Sequence, residues 1–111
     1  MKTRPVIPRA LARQDIQSAI DYYLSEASEQ AALGLIDELE KVFEQLGRHP
    51  EIGSSRYAHE LDLPGLRSWV LKRYPYLVLY VVRPEHIDVW RVLHEMRDIP
   101  NWMSANDESE R

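Results

Sequence analysis

A histidine at the end of an apolar run, followed by charges of both signs, is where acid–base chemistry would first be sought in this chain. His94 precedes Glu95, Arg97 and Asp98, and an imidazole so placed could act as a general acid toward a bound substrate. The plainer reading is a partly buried histidine hydrogen-bonded to backbone or to Asp98. Arg67 also has two readings: a guanidinium that binds phosphate or a developing negative charge, or one that fixes its loop by bidentate pairing with Asp62 or Asp98. The structural role is the expectation. Trp69, Tyr74, Tyr76, Tyr80 and Trp90 could stack on bases, but aromatics at strand spacing more often fill cores and sheet surfaces. Trp102, beside Met103, is expected to dock a C-terminal turn or a partner.

Other chemistries lack their residues. His94 to Asp98 has only a superficial HExxH look: its fifth position is Asp98 and it follows a strand instead of lying inside a helix, so no metal is expected. The chain has four glycines and no GxGxxG or GxxxxGK[ST] loop, which argues against a nucleotide, and no cofactor of any kind is expected. With no cysteine, disulfides, thiolate zinc sites and cysteine nucleophiles are excluded.

The elements that must position these residues come from 111 residues, 44% hydrophobic and 29% charged, ordinary usage for one domain with one modest core. Nothing approaches the ~18 apolar residues of a spanning helix, and the basic start, Met1 to Pro5, lacks a signal-like apolar stretch. A cytoplasmic protein with no membrane contact is the expectation. The net charge of −4 speaks against non-specific binding of nucleic acid through a broad basic surface, and no direct sequence-specific binding of nucleic acid is expected. Residues 104–111, SANDESER, hold three acids and one arginine and read as a flexible polar tail, leaving residues 1–103 as a single domain. Arg56, Arg67, Lys72, Arg73, Arg83, Arg91 and Arg97 form a locally basic stretch.

The apolar period switches midway. Ala12, Ile16, Ala19, Ile20, Tyr23 and Leu24 make one helical stripe, with Pro8 as a first-turn residue. After a break at Ser25 to Ser28, Ala32, Leu35, Ile36, Leu39, Val42, Phe43 and Leu46 make a second. Ser28 is the N-cap, Gly47 suits a left-handed C-terminal residue, and His49-Pro50 stops the helix. So short a break implies an antiparallel αα-hairpin, with Gly34 allowing close approach to the first helix. Residues 51–67 read as a loop. Ser68 to Tyr74, Leu77 to Val82 and Ile87 to Leu93 read as a three-strand meander. In the last strand, alternation places Ile87, Val89, Arg91 and Leu93 on one face and Asp88, Trp90, Val92 and His94 on the other. Met1 to Ile7 supplies an edge strand that tolerates Pro5. The fold class is α+β: an N-terminal αα-hairpin on an antiparallel sheet, with a short C-terminal segment.

In order and spacing these segments resemble the ParE branch of the RelE/ParE toxin superfamily of bacterial toxin–antitoxin systems, over roughly residues 3 to 100. The marks are Ala12, Asp15-Ile16 and Ala19-Ile20-Asp21-Tyr22-Tyr23; Ala31-Ala32 with Leu35-Ile36-Asp37; His49-Pro50 with Gly53; Leu63-Pro64-Gly65-Leu66-Arg67; Tyr74-Pro75-Tyr76-Leu77-Val78-Leu79-Tyr80; and Val92-Leu93-His94 with Arg97-Asp98. The resemblance implies the toxin of a type II, plasmid-stabilisation type of module, neutralised in a hetero-oligomeric complex by a ParD-like antitoxin whose disordered C-terminal segment folds along the toxin. It implies binding inhibition of DNA gyrase, through the A subunit, by trapping cleaved DNA, without enzyme chemistry.

The RelE branch, ribosome-dependent mRNA endonucleases of the same fold, is the alternative, and would use Arg67, Arg73, His94 and Arg97. A non-toxic partner-binding relative is a third reading. The acidic composition ranks the nuclease below the gyrase inhibitor, because phosphate neutralisation supplies much of the affinity for RNA. His94, Arg97, Asp98 and Trp102, within Val92 to Trp102, are the expected target contacts. Tyr22, Tyr23, Trp69 and Tyr80, on the hairpin and sheet edges, are the expected antitoxin contacts. Deletion after Leu93 is expected to leave a foldable core without toxicity.

Overall fold

The computed structural model describes residues 3–96 and Ile99. In chain order the elements are β1 (Val6–Pro8), α1 (Ala10–Glu26), α2 (Glu29–Arg48), a 3-10 turn (Pro50–Ile52), α3 (Arg56–Glu60), β2 (Leu66–Val70), β3 (Tyr76–Val82) and β4 (Ile87–His94). The sheet order is β1-β4-β3-β2. The αα-hairpin, the meander and the N-terminal edge strand are all present. The sheet is mixed where a wholly antiparallel one was expected, because β1 runs parallel to β4.

Local chemistry sets the ends of these elements. The Ile87 N–H donates to the Pro5 carbonyl and the Arg9 N–H donates to the Val89 carbonyl, both at 2.8–2.9 Å. The ladder therefore continues through Pro8, which ends β1 instead of opening α1. Ser28 caps α2 as expected, its hydroxyl accepting the Ala31 N–H at 3.0 Å, which satisfies one orphan donor of the first turn. Gly47 is not a left-handed C-terminal residue: α2 runs on to Arg48. It is required because a Cβ there would stand 2.5 Å from the Arg4 carbonyl. Gly34 does permit a close approach, but by the Tyr74 phenol, not by α1; that hydroxyl donates to the Ala31 carbonyl at 2.7 Å.

The sheet is covered on both faces. Against α1 and α2 lie Val78, Tyr80, Ile87, Val89 and Val92 with Leu35, Leu39 and Leu46. On the far face, Leu66, Leu77, Leu79, Val81, Trp90, Leu93 and Ile99 form a second cluster, packed by Tyr57, Ala58, Leu61 and Leu63. The stretch expected to be a loop is thus a 3-10 turn, a short helix and a lid on the second cluster. Alternation along β4 breaks at Trp90. Leu79 pairs with Arg91 but Tyr80 pairs with Val89, so Trp90 is an extra residue and the faces exchange beyond it. Val92 joins the helix side and Leu93 the far side, opposite to the expected assignment.

Candidate functional site

Asp15, Ser18, Ala19 and Tyr22 lie on one stripe of α1 by their i, i+3, i+4 and i+7 spacing. This stripe borders the ends of two strands. Because β1 pairs only with Ile87 to Val89, β4 has no strand neighbour among the described residues on that edge from Val92 onward. Asp15 closes the gap: its carboxylate accepts the Val92 N–H at 3.1 Å and the Arg91 guanidinium at 2.7 Å through Nε and again through Nη2. The Arg91 side chain is only 4% exposed, so this charge is out of water and depends on that bidentate partner.

Above this floor lies a cavity of about 490 Å³ lined by the α1 stripe, Tyr23, Pro75, Tyr76, Val92, Leu93 and His94. Its rings form a chain of edge-to-face contacts: Tyr22 to Tyr23 at 5.2 Å, Tyr23 to Tyr74 at 5.3 Å, Tyr23 to Tyr76 at 6.4 Å and Tyr76 to His94 at 5.3 Å between centroids. Such geometry sets positive ring edges on negative ring faces and holds the rings rigidly. Burial, followed by the neighbouring phenols of Tyr76, Tyr22 and Tyr74, raises the Tyr23 pKa above its ordinary value, so Tyr23 stays a neutral phenol. Tyr22 is 55% exposed at the mouth. His94 Nδ1 accepts the Met96 N–H at 3.1 Å, the backbone partner expected for a structural histidine, while the ring still borders the groove.

The remaining expected site residues do not gather here. Arg67 donates from Nη1 to the carbonyls of Glu51 at 3.2 Å and Gly53 at 2.8 Å; it holds its loop through carbonyls, not through Asp62. Tyr80, expected at a partner surface, is fully buried. Its hydroxyl donates to the Pro50 carbonyl at 2.7 Å and accepts the Gly53 N–H at 3.0 Å. Burial raises its pKa, against the lowering effects of the Gly53 N–H and of Arg67. Trp69 is half-buried on β2, packed against the helix-side core. Arg73 donates from Nε to Glu38 at 3.0 Å, and Glu38 is itself 6% exposed and accepts backbone N–H groups of Lys72 and Arg73. Burial pushes Glu38 up, but the bonds from Arg73 and Lys72 outweigh it and hold the carboxyl below its ordinary range. Arg97, Asp98 and Trp102 lie outside the described residues.

The basic stretch does not become a basic concavity among the described residues. Arg56 pairs with Glu60, Arg73 with Glu38, Arg83 with Asp88 and Arg91 with Asp15. Arg67 faces Tyr80 in the ladder, four residues from Tyr76, or about 13 Å along the strand. Sequence reasoning missed Asp15, Glu38, Asp88 and Arg91 as organising groups. The signal available was an ionisable residue at a position that the period assigns to a buried face. Asp88 shows how such a group is satisfied: it accepts from Arg9, Arg83 and Trp90 Nε1 at 3.0–3.1 Å, while Arg9 also lies 4.5 Å over the Trp90 ring.

No helix among the described residues is long and apolar enough to cross a membrane. A comparison with curated protein sequences gave no match. Among solved structures the chain is similar to one titled "Chromosomal ParDE TA system from P. aeruginosa", at 18% identity and a TM-score of 0.68, covering 83% of this chain and 96% of that one; at that identity the likeness concerns the fold. A family model described as the ParE toxin of the type II toxin-antitoxin system parDE matches residues 6–99. That span takes in the helical hairpin, the whole sheet and the groove between them, and on it the chain belongs to the ParE family of type II toxins.

Proposed function

We propose that this ParE-family toxin is a binding inhibitor of DNA gyrase that engages the A subunit, traps the enzyme on cleaved DNA in the cytoplasm, and is silenced by a ParD-like antitoxin. The antitoxin's C-terminal segment folds along the α1–β4 groove and the hairpin, with Tyr22 and Tyr23 as contacts and Trp69 at the β2 edge. The target contacts are His94, Arg97, Asp98 and Trp102.

One observation carries the choice of binding over RNA cleavage. Among the described residues, the guanidinium groups that a nuclease would aim at a scissile phosphate already hold the fold, Arg67 through the carbonyls of Glu51 and Gly53 and Arg73 through Glu38. Freeing Arg67 would leave the part-buried Gly53 carbonyl without this donor, and freeing Arg73 would strip the buried Glu38 carboxylate of its ion-pair partner, a cost of about 1–3 kcal/mol each. A poison of a DNA–enzyme complex needs only a complementary surface.

The test is a supercoiling reaction with purified gyrase, ATP and plasmid, to which antitoxin-free toxin is added before detergent and protease. Linear DNA should accumulate, and His94→Ala should retain most of the effect, because it removes a contact and no proton transfer. Unimpaired supercoiling without cleavage by a folded toxin would overturn the gyrase reading. Loss of ribosome-dependent mRNA cleavage by about 100-fold or more on His94→Ala would install the nuclease in its place.

A further inference from the structure

The α1–β4 groove has an unusual electrostatic make-up for an apolar cleft. Among the described residues its lining contains no lysine or arginine, and its walls are electron-rich rings: Tyr22 and Tyr23 at 5.2 Å, and Tyr76 with His94 at 5.3 Å. Asp15, the one carboxylate in the lining among the described residues, is neutralised from below by Arg91, so it neither repels nor demands a ligand charge. Along α1 the same stripe continues one turn past Tyr22 to Glu26, since positions 15, 19, 22 and 26 fall within about 60° of one another at 100° per residue. Glu26 is exposed and is the last residue of α1, whose final turn carries no basic residue. The negative end of the helix dipole and the Glu26 carboxylate therefore reinforce each other at the groove's far end.

We infer that the groove is a receptor for a cationic side chain, an arginine, presented by the partner polypeptide: its guanidinium lies against the Tyr22, Tyr23 and Tyr76 rings and is drawn toward Glu26. Arginine suits this geometry better than lysine, because a planar, weakly hydrated guanidinium stacks on ring faces while an ammonium retains its water. This inference rests on the groove being the antitoxin's docking surface and specifies the chemistry by which it is read.

The probes are N-acetyl-arginine N-methylamide and its citrulline and leucine counterparts, titrated into the full chain while the ring protons of Tyr22, Tyr23, Tyr76 and His94 are followed by NMR. The arginine derivative should shift these resonances saturably and bind at least about fivefold more tightly than citrulline, which has the same shape without the charge. Tyr22→Phe should keep that preference, and Tyr22→Leu and Glu26→Gln should each reduce it without moving the thermal midpoint, since both sites are exposed. Equal affinity for citrulline or leucine would overturn the inference yet leave the groove a docking surface. If none of the three moves these rings, the inference is also overturned, and undiminished antitoxin affinity in Tyr22→Glu would then remove the groove from the proposed function as well.

Discussion

At the corner where Arg67 and Tyr80 meet residues 50–53, the guanidinium and the phenol are consumed by the chain's own backbone, binding the carbonyls of Pro50, Glu51 and Gly53 and the Gly53 N–H. Along α1 the arrangement is reversed: Asp15 and Arg91 satisfy each other below the groove, and that leaves Tyr22, Tyr23, Tyr76 and His94 as a rigid lining facing the cavity. Both places carry the residue types from which sites are made. What separates them is whether the fold has already used the polar atoms, and the difference is decided by neighbours remote in sequence. Tyr80 and Gly53 are 27 residues apart, and Asp15 and Arg91 are 76 apart.

The sharpest way to break this comparison is to remove the groove's floor. Asp15→Ala leaves the Arg91 guanidinium buried without its bidentate partner and frees the Val92 N–H, which should cost about 3–5 kcal/mol in denaturant unfolding. The double variant Asp15→Leu with Arg91→Met should recover part of that loss, because an apolar pair of similar volume escapes the desolvation penalty. Recovery of nothing would mean that the pair shapes the groove in a way that packing cannot replace.

Next in size is the far face. Ile99 is 3% exposed within the second cluster, so Ile99→Ala should destabilise by about 2–5 kcal/mol. The same burial bears on the expectation that deletion after Leu93 leaves a foldable core: that truncation removes Ile99 from the far-face cluster, and growth arrest must be read alongside a folding measurement. Tyr80→Phe should come third, at about 1–3 kcal/mol, because it strands the Pro50 carbonyl and the Gly53 N–H in a buried corner. Antitoxin affinity per folded molecule should not move, which separates the spent corner from the open groove.

The acid limb of the stability curve probes the spent groups collectively. Burial pushes the Asp88 carboxyl up, yet hydrogen bonds from Arg9, Trp90 and Arg83 bring it below its ordinary 3.8; Glu38 likewise lies below its ordinary 4.5. A folded pKa below the unfolded one means a contribution fully present above about pH 5 that is lost as pH falls through the ordinary value and then through the folded one. Unfolding midpoints should therefore drop below pH 4, and Asp88→Asn, already missing its charge at pH 7, should show a shallower acid slope. A parallel slope in the variant would remove Asp88 from the account. Smallest in stability is Tyr22→Ala, expected within about 0.5 kcal/mol of the parent because the ring is 55% exposed. Its effect should appear in antitoxin affinity, where loss of an aromatic anchor costs about 2 kcal/mol.

The hairpin, the meander and the edge strand were readable because each rests on local chemistry: the Ser28 cap, the His49-Pro50 stop, and the continuous apolar run from Leu77 to Val82. Trp90 defeated the alternation rule, since a period of two assumes an unbroken register and the charged residues on either side, Asp88 and Arg91, are buried in ion pairs and so do not mark a solvent face. Residues 56–60 passed as loop because a five-residue helix is too short to show a period. In the site, Tyr22 and Tyr23 were expected as antitoxin contacts on the hairpin, but that His94, expected among the target contacts, lines the same groove was not readable, because α1 and the end of β4 are brought together by long-range packing. Tyr80 was readable as core from its strand spacing, and its assignment to a partner surface failed because nothing in its neighbours announces that Pro50 and Gly53 will come to meet its hydroxyl.

The central claim, that the α1–β4 groove is the working surface and the Arg67–Tyr80 corner is internal structure, is tested most directly by hydrogen–deuterium exchange of the toxin alone and bound to a ParD-like antitoxin. The account predicts new protection concentrated in residues 15–23 and 92–94, with residues 50–54 and 66–68 unchanged. Protection centred on residues 50–54 and 66–68, with the groove exchanging as in the free toxin, would contradict it.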